Sequence, residues 1–253
     1  MPDLKSSNGA KLREMRIAII SDIHGNLTAL EAVIADLRQT APDLVLHGGD
    51  LVDSGSSPVE VLDRIRNLNW PGVLGNTDEM LFRPESLEIF ASQSSAPASM
   101  WAIIREIAAS TRAALGPDRL AWLSQLPMHQ IHAPIALVHA TPESCWQAPS
   151  PNASDTELQS IYAPLAQPIV IYGHTHIPSI REIPGLTLIN SGSIGLPYDG
   201  DPRASYALID GTAASIRRVE YNRERELKAL KSSPNPGANW TAKMLQSSSP
   251  QLP

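Results

Sequence analysis

The chain has 253 residues, 42% of them hydrophobic and 18% charged, enough for a sizeable core in one large domain or two small ones. A formal net charge of -6 argues against a protein that holds nucleic acid mainly through a basic surface, and the single cysteine, Cys145, excludes an intramolecular disulfide and a cysteine-rich zinc site. No run approaches the ~20 apolar residues that span a bilayer, and the polar N-terminus lacks the apolar core of a signal peptide, so a cytoplasmic protein with no membrane partner is expected.

Residues 1–14 read as a disordered leader, with Met15 an alternative start. A strand over Arg16 to Ile20 runs into Ser21-Asp22-Ile23-His24-Gly25-Asn26, and a helix follows from Leu27 to Arg38, with Leu27, Leu30, Val33, Ile34 and Leu37 at helical spacing. Asp43 to His47 is the second strand and delivers Gly48-Gly49-Asp50-Leu51-Val52-Asp53. A helix opens near Ser57-Pro58, a cap followed by proline at its first position. A short third strand, Gly72 to Leu74, ends in Gly75-Asn76-Thr77-Asp78. Strand alternating with helix predicts parallel βαβ units, whose ligands bind beyond the carboxyl ends of the strands. All three polar clusters fall there.

Residues 79–127 interrupt that pattern as a helical insertion, either walling one side of a pocket or merely packing on the sheet. Within it Ser86 to Ser95 reads as loop, Met100 to Leu115 as a helix and Pro117 to Leu126 as a second. Met128 to His132 and Ile135 to His139 read as an antiparallel pair joined by Ala133-Pro134. Ser154 and Glu157 form a capping box for a short helix. The strand Ile169 to Tyr172 then enters Gly173-His174-Thr175-His176. Ile177 to Ile183 and Leu186 to Asn190 predict a hairpin, Ser191 to Gly195 is a glycine-rich loop, and Ala204 to Asp210 pairs with Ala214 to Tyr221. A charged helix over 222–231 closes the domain, which spans 15–231. Residues 232–253, rich in Ser, Pro and Asn, read as a disordered tail.

The polar groups at strand ends are Asp22, His24, Asp50, Asn76, His139, His174 and His176. Four imidazoles, two carboxylates and an amide suit manganese, iron or zinc better than calcium or magnesium. Seven ligands exceed one tetrahedral site, whereas two ions sharing a carboxylate account for all of them, and such pairs typically catalyse in-line displacement at phosphorus. Any one member has a plain alternative: Asp22 as a helix cap, Asn76 as a turn residue. Five such clusters together are hard to explain that way. His47, His129 and His132 read as structural or surface groups, and Cys145 as a small buried residue rather than a reactive thiol.

The succession Asp22-x-His24, Gly49-Asp50-x-x-Asp53, Gly75-Asn76-x-Asp78, His139 and Gly173-His174-x-His176 resembles the calcineurin-like metallophosphoesterase superfamily, in particular its small bacterial and archaeal phosphodiesterase-like branch. The resemblance covers residues 15 to 221. It implies an α/β fold of two packed mixed β-sheets flanked by helices, with Asp22, His24, Asp50 and Asn76 on the first sheet and His139, His174 and His176 on the second. It also implies two divalent transition-metal ions: manganese, with iron, zinc, nickel or cobalt as alternatives. Asp22, His24 and His176 would hold one ion, Asn76, His139 and His174 the other, and Asp50 both, with Asp50, Asn76 and His139 central to catalysis. A hydroxide between the ions would attack a phosphoester, possibly nucleotide-like, in line. Asp53 and Asp78 would orient ligands.

One departure is Thr77. Many phosphatases of the superfamily carry histidine there to assist the leaving group, and a threonine hydroxyl is a poor general acid at neutral pH. That favours a phosphodiesterase, with a phosphomonoesterase or dinucleoside-polyphosphate hydrolase as the alternative, and a non-catalytic scaffold as a third. His132 is one substitute acid. Arg203, after the glycine-rich loop, either contacts a substrate phosphate or pairs with Asp201 or Asp199.

Overall fold

The computed structural model describes residues 15–211 and 213–253. The leader expected over residues 1–14 lies outside the described residues. Chain order gives β1 (Arg16–Ile20), α1 (Leu27–Thr40), β2 (Leu44–His47), α2 (Pro58–Leu68), α3 (Asn76–Phe82), α4 (Pro84–Gln93) and α5 (Ala98–Leu123). There follow β3 (His129–His132), β4 (Ile135–Val138), α6 (Asp155–Tyr162), β5 (Ile169–Tyr172), β6 (Ser179–Ile183) and β7 (Leu186–Asn190). The chain ends with β8 (Ala204–Asp210), β9 (Ala213–Val219), α7 (Arg223–Ser232) and α8 (Ala238–Ser247).

Among the described residues the strands form two sheets, ordered β2-β1-β8-β9 and β3-β4-β5-β7-β6. Each is mixed: β1 runs parallel to β2 and antiparallel to β8, while β5 is parallel to both β4 and β7, and β3 and β6 are antiparallel edges. Period-2 alternation explains the layering. In β1, Ile17 and Ile19 meet Ile135, Leu137, Ile171 and Ile189 of the other sheet, while Ala18 and Ile20 face the helical layer with Leu30, Val33 and Leu62. The outer face of the second sheet is covered by Leu158 and Tyr162 of α6. Each fully buried aliphatic side chain contributes about 1.5–3 kcal/mol, so the strands that deliver the site are anchored from both faces. This is the expected sandwich of two mixed sheets with helices outside.

Caps account for several boundaries. The Asn26 side chain accepts from Ala29 N–H at 2.9 Å to start α1, and Ser154 accepts from Glu157 N–H at 3.2 Å to start α6. Three local expectations change. The third strand reduces to one parallel bridge between His47 and Gly72. Ser86 to Ser95, expected as loop, lies largely in α4, because Pro84 sits at its first position and Leu87 is buried against the core, with Phe90 and Ala91 packed beside it. The two helices expected around 100–126 are the two arms of α5, which break at the expected place: Gly116, with φ 69° and ψ 174°, leaves the helical region just ahead of Pro117.

The third change is at the C-terminus. The tail expected to be disordered over 232–253 contains α8, whose Ala242, Met244 and Leu245 pack with Leu196 and Leu230. Its Thr241 hydroxyl donates to Ser54 O at 3.0 Å, and the Asn235 amide donates to the same oxygen at 2.6 Å. Tertiary packing, rather than composition, decides the fate of so short a segment.

Candidate metal centre

The seven candidate ligands arrive from five strand-end loops at one edge of the sandwich. Backbone hydrogen bonds join those loops: Asp22 N–H donates to Gly49 O and His24 N–H to Asp50 O, both at 3.0 Å, and Gly173 N–H donates to His139 O at 2.9 Å. The two sheets are joined by His174 N–H, which lies 3.1 Å from each Asp22 carboxylate oxygen. Asn76 opens α3, and the next N–H, that of Thr77, donates to Asp50 Oδ1 at 2.9 Å. Asp50 is therefore held at a helix N-terminus, where a negative charge is favoured.

Five of the seven adopt left-handed backbone conformations: φ is 54° at Asp22, 49° at His24, 54° at Asp50, 64° at His174 and 59° at His176. For residues with a Cβ this costs on the order of 1–3 kcal/mol each, and it persists only where the surroundings enforce it. Asn190 is one enforcer. Its buried amide donates to Gly173 O at 2.7 Å and Thr175 Oγ1 at 2.9 Å, and accepts from Gly192 N–H at 2.8 Å. Ser193 Oγ donates to Asp22 O at 2.7 Å, so the glycine-rich loop is a buttress. Two glycines make room for carboxylates: a Cβ on Gly75 would collide with Asp50 Oδ1, and one on Gly173 with Asp22 Oδ2.

Carbonyl partners fix the imidazole tautomers. His24 Nδ1 donates to Asp53 O at 3.1 Å, His176 Nδ1 to Leu196 O at 2.6 Å, and His139 Nδ1 to Gly48 O at 2.7 Å. Each Nε2 then carries a bare lone pair when the ring is neutral. His24 Nε2 and His176 Nε2 face each other at 3.1 Å, with Asp22 Oδ1 3.3 Å from the latter. His139 Nε2 sits 3.0 Å from Asn76 Oδ1, and His174 turns Nδ1 to the same group, 2.9 Å from Asn76 Oδ1 and 3.2 Å from His139 Nε2. Asp50 Oδ2 lies 3.6 Å from both His24 Nε2 and His139 Nε2, too long for hydrogen bonds.

Electron pairs thus converge where a cation would relieve them. One ligand atom from each of Asp22, His24, Asp50 and His176 lies within 4.8 Å of the other three, and all four residues are buried. The donors are imidazole nitrogen and hard oxygen without thiolate, and this set fits a divalent transition-metal ion.

Burial lowers the proton affinity of His24, despite the facing Asp50 and Asp22, and with His139 it brings that of His174 down to about 4. Both imidazoles are therefore neutral at pH 7, as ligation requires. Burial also opposes protonation of His139, but the charges of Asp50 and Asp22 outweigh it and raise its pKa. Burial alone would raise Asp22; the charge and hydrogen bond of His176 instead hold it well below the usual carboxylate range. Burial pushes Asp53 up to about 7 and, with Asp50 nearby, Asp78 up to about 8. Asp78 accepts from Leu51 N–H at 2.9 Å and so orients the loop carrying Asp50, whereas Asp53 reaches the site through its backbone carbonyl.

The other candidates lie elsewhere. Arg203 pairs with Asp201 at 2.6 Å and borders a separate surface depression with Glu220 and Arg223, so of its two expected roles the structure shows the ion pair. His132 bonds Gln130 at 3.0 Å and does not line the metal-ligand cavity, which removes it as a substitute acid. His47 is fully buried with neither ring nitrogen bonded. The Cys145 thiol is buried and its pKa pushed up, which fits an inert residue.

A cavity of about 220 Å³ opens over His24, Asp50, Asn76, His174 and His176. The helices of the 79–127 insertion line it with Met80, Leu87, Phe90, Trp101 and Ile104, and α8 lines it with Trp240 and Met244. Of the two roles expected for the insertion, its side chains line this cavity; the rings added by Trp146 and Trp240 and the tautomer-setting carbonyls escape the sequence reading. The tryptophans are scattered along the chain, and a carbonyl carries no side-chain signal.

The family model described as a calcineurin-like phosphoesterase superfamily domain matches residues 15–213. Among curated proteins, an uncharacterized protein of Methanocaldococcus jannaschii is 32% identical over 229 residues, covering 81% of this chain and 88% of that one. The phosphodiesterase YfcE of Escherichia coli is 23% identical over 212 residues, covering 80% of this chain and 91% of that one. Among solved structures, a metallophosphoesterase from Sphaerobacter thermophilus superposes with a TM-score of 0.74 at 26% identity, covering 92% of this chain and 99% of that one. With four of its strand-end candidates, Asp22, His24, Asp50 and His176, gathered in one buried cluster, the chain belongs to the calcineurin-like phosphoesterase superfamily and is a hydrolase of phosphoester bonds.

Proposed function

We infer that the protein is a phosphodiesterase of the cytoplasm, working with two manganese ions. Asp22, His24 and His176 would hold one ion, Asn76, His139 and His174 the other, and Asp50 would be shared. The observation that carries this reading is the 3.1 Å approach of His24 Nε2 and His176 Nε2, whose Nδ1 atoms are both engaged by carbonyls. When both rings are neutral, two lone pairs face each other at that distance, and a cation held between them would join both. The position of Asp50 Oδ2, 3.6 Å from one imidazole of each group, supports the sharing. A carboxylate has a second oxygen to offer, while a neutral imidazole has one free lone pair.

When bound, such ions make a water nucleophile available at neutral pH and neutralise charge on the phosphoryl oxygens. The chain's own contribution is to hold the donors in place before substrate arrives. Thr77 N–H fixes Asp50, the carbonyls of Asp53, Gly48 and Leu196 keep three Nε2 atoms unprotonated, and the apolar wall limits water on one side.

The diester reading is supported by Thr77, whose hydroxyl is no acid at neutral pH, and by the relative YfcE, a phosphodiesterase. Bis(p-nitrophenyl) phosphate and p-nitrophenyl phosphate, assayed side by side with manganese, test it. Preference for the diester is expected, and cleavage of the monoester alone would sink the reading.

A further inference from the structure

The family match ends at residue 213, yet the cavity over the ligand cluster is completed by α8, from the last forty residues of the chain. Trp240 and Met244 of α8 line it. The helix is fixed in place, since Thr241 and Asn235 both donate to Ser54 O in the loop that follows Asp50 and Asp53. The rest of the wall is a cluster of rings. Phe90 stands 5.9 Å from Trp101, nearly perpendicular, and 5.1 Å from Trp146, while Tyr198 stacks on His176 at 4.4 Å. Among the described residues no lysine or arginine lines the cavity; its ionisable side chains include the aspartates Asp50 and Asp53 and the histidines His24, His174 and His176.

A site that handled a polyphosphate chain or a nucleic-acid backbone needs cations to meet the phosphates that are not reacting. This wall instead places apolar ring surface beside the ligand cluster, and such surface recognises rings by stacking and edge contacts.

We propose that the substrate is a phosphoester bearing a single uncharged aromatic or heteroaromatic group, packed among Phe90, Trp101, Trp146 and Trp240, and that α8 is the element that selects it. The proposal rests on the phosphoesterase reading of the same site and excludes dinucleoside polyphosphates as its preferred substrates.

The full chain with manganese is titrated with three non-hydrolysable anions: methylphosphonate, phenylphosphonate and benzene-1,4-diphosphonate. Binding is read twice, by inhibition of bis(p-nitrophenyl) phosphate hydrolysis and by quenching of tryptophan fluorescence. Phenylphosphonate is expected to bind about tenfold more tightly than methylphosphonate, and the second phosphonate group to remove that gain. Trp240→Ala should narrow the phenyl-to-methyl ratio to about threefold or less. Should that variant fail to fold, Met244→Ala and the wild-type comparison decide the matter alone. Equal affinities for phenyl and methyl anions, or tightest binding of the diphosphonate, would overturn the proposal. Failure of the underlying phosphoesterase reading looks different: no ester, alkyl or aryl, would be hydrolysed, whatever the phosphonates show.

Discussion

His24 and His176, 152 positions apart in the chain, bring their Nε2 atoms to within 3.1 Å at the junction of two β-sheets. Both rings are locked by carbonyls on the far side, and both residues adopt left-handed backbone conformations. Nothing in core packing asks for that arrangement. With both rings neutral, a cation bound between the two Nε2 atoms would relieve the repulsion of their lone pairs.

Metal removal should therefore destabilise the fold as well as abolish activity. A ligand that binds only the folded state adds RT ln(1 + [L]/Kd), about 2.7 kcal/mol at one hundred times Kd. Thermal melts of chelated protein are expected to shift upward on titration with manganese, together with recovery of phosphoester hydrolysis. Identical melts with and without the ion would count against the strained-site account.

Gly75→Ala places a Cβ against Asp50 Oδ1, within the helix turn that also presents Thr77 N–H to that carboxylate. Asp50 cannot yield without leaving the site. The variant should lose at least about a hundredfold in kcat/KM, equivalent to roughly 2.7 kcal/mol, and bind metal more weakly. Steady-state kinetics and metal analysis of the folded variant check this.

Asn190 satisfies three groups of the loops around His174 and His176, all buried or half-buried. Asn190→Leu keeps the volume and strands the Gly192 N–H, while Gly173 O keeps only its bond from Thr175 N–H at 2.7 Å. A cost of about 1–3 kcal/mol per stranded group is expected in denaturant unfolding. A variant as stable as the wild type would show that the loops hold their strained conformations without it.

His47 supplies a pH prediction. Burial pushes its pKa from 6.5 down to about 3, and neither nitrogen has a partner. The unfolded chain takes up a proton below pH 6.5 whereas the folded chain does not until about 3, so stability falls as pH drops through that window. The slope approaches about 1.4 kcal/mol per pH unit, while above pH 7 the group contributes no pH dependence. His47→Leu should flatten the stability curve between pH 6 and 4 by that amount. Parallel curves for the two proteins would contradict it.

The candidate ligands stood out in the sequence because they follow apolar, β-branched strands. Ile169 to Tyr172 ahead of Gly173-His174-Thr175-His176 marks both a strand and where it stops. The α/β alternation likewise pointed to the parallel pair of β1 and β2, to which β8 and β9 add antiparallel. What stayed hidden depends on tertiary contacts. The Ser-, Pro- and Asn-rich residues after 231 look disordered in isolation, yet α8 is held by Leu196, Leu230 and Ser54. The α4 segment carries serines that read as loop until Leu87 finds the core. Arg203 stayed open in the sequence between a phosphate contact and an ion pair, and only the fold shows its guanidinium engaged by Asp201.

The central claim is that Asp50 is shared between two groups of ligands, and counting ions per chain tests it most directly. Metal analysis of manganese-loaded protein should give two ions for the wild type, one each for His174→Ala and His176→Ala, and fewer than one for Asp50→Ala. One ion in the wild type, or an Asp50→Ala variant that keeps both, would contradict it.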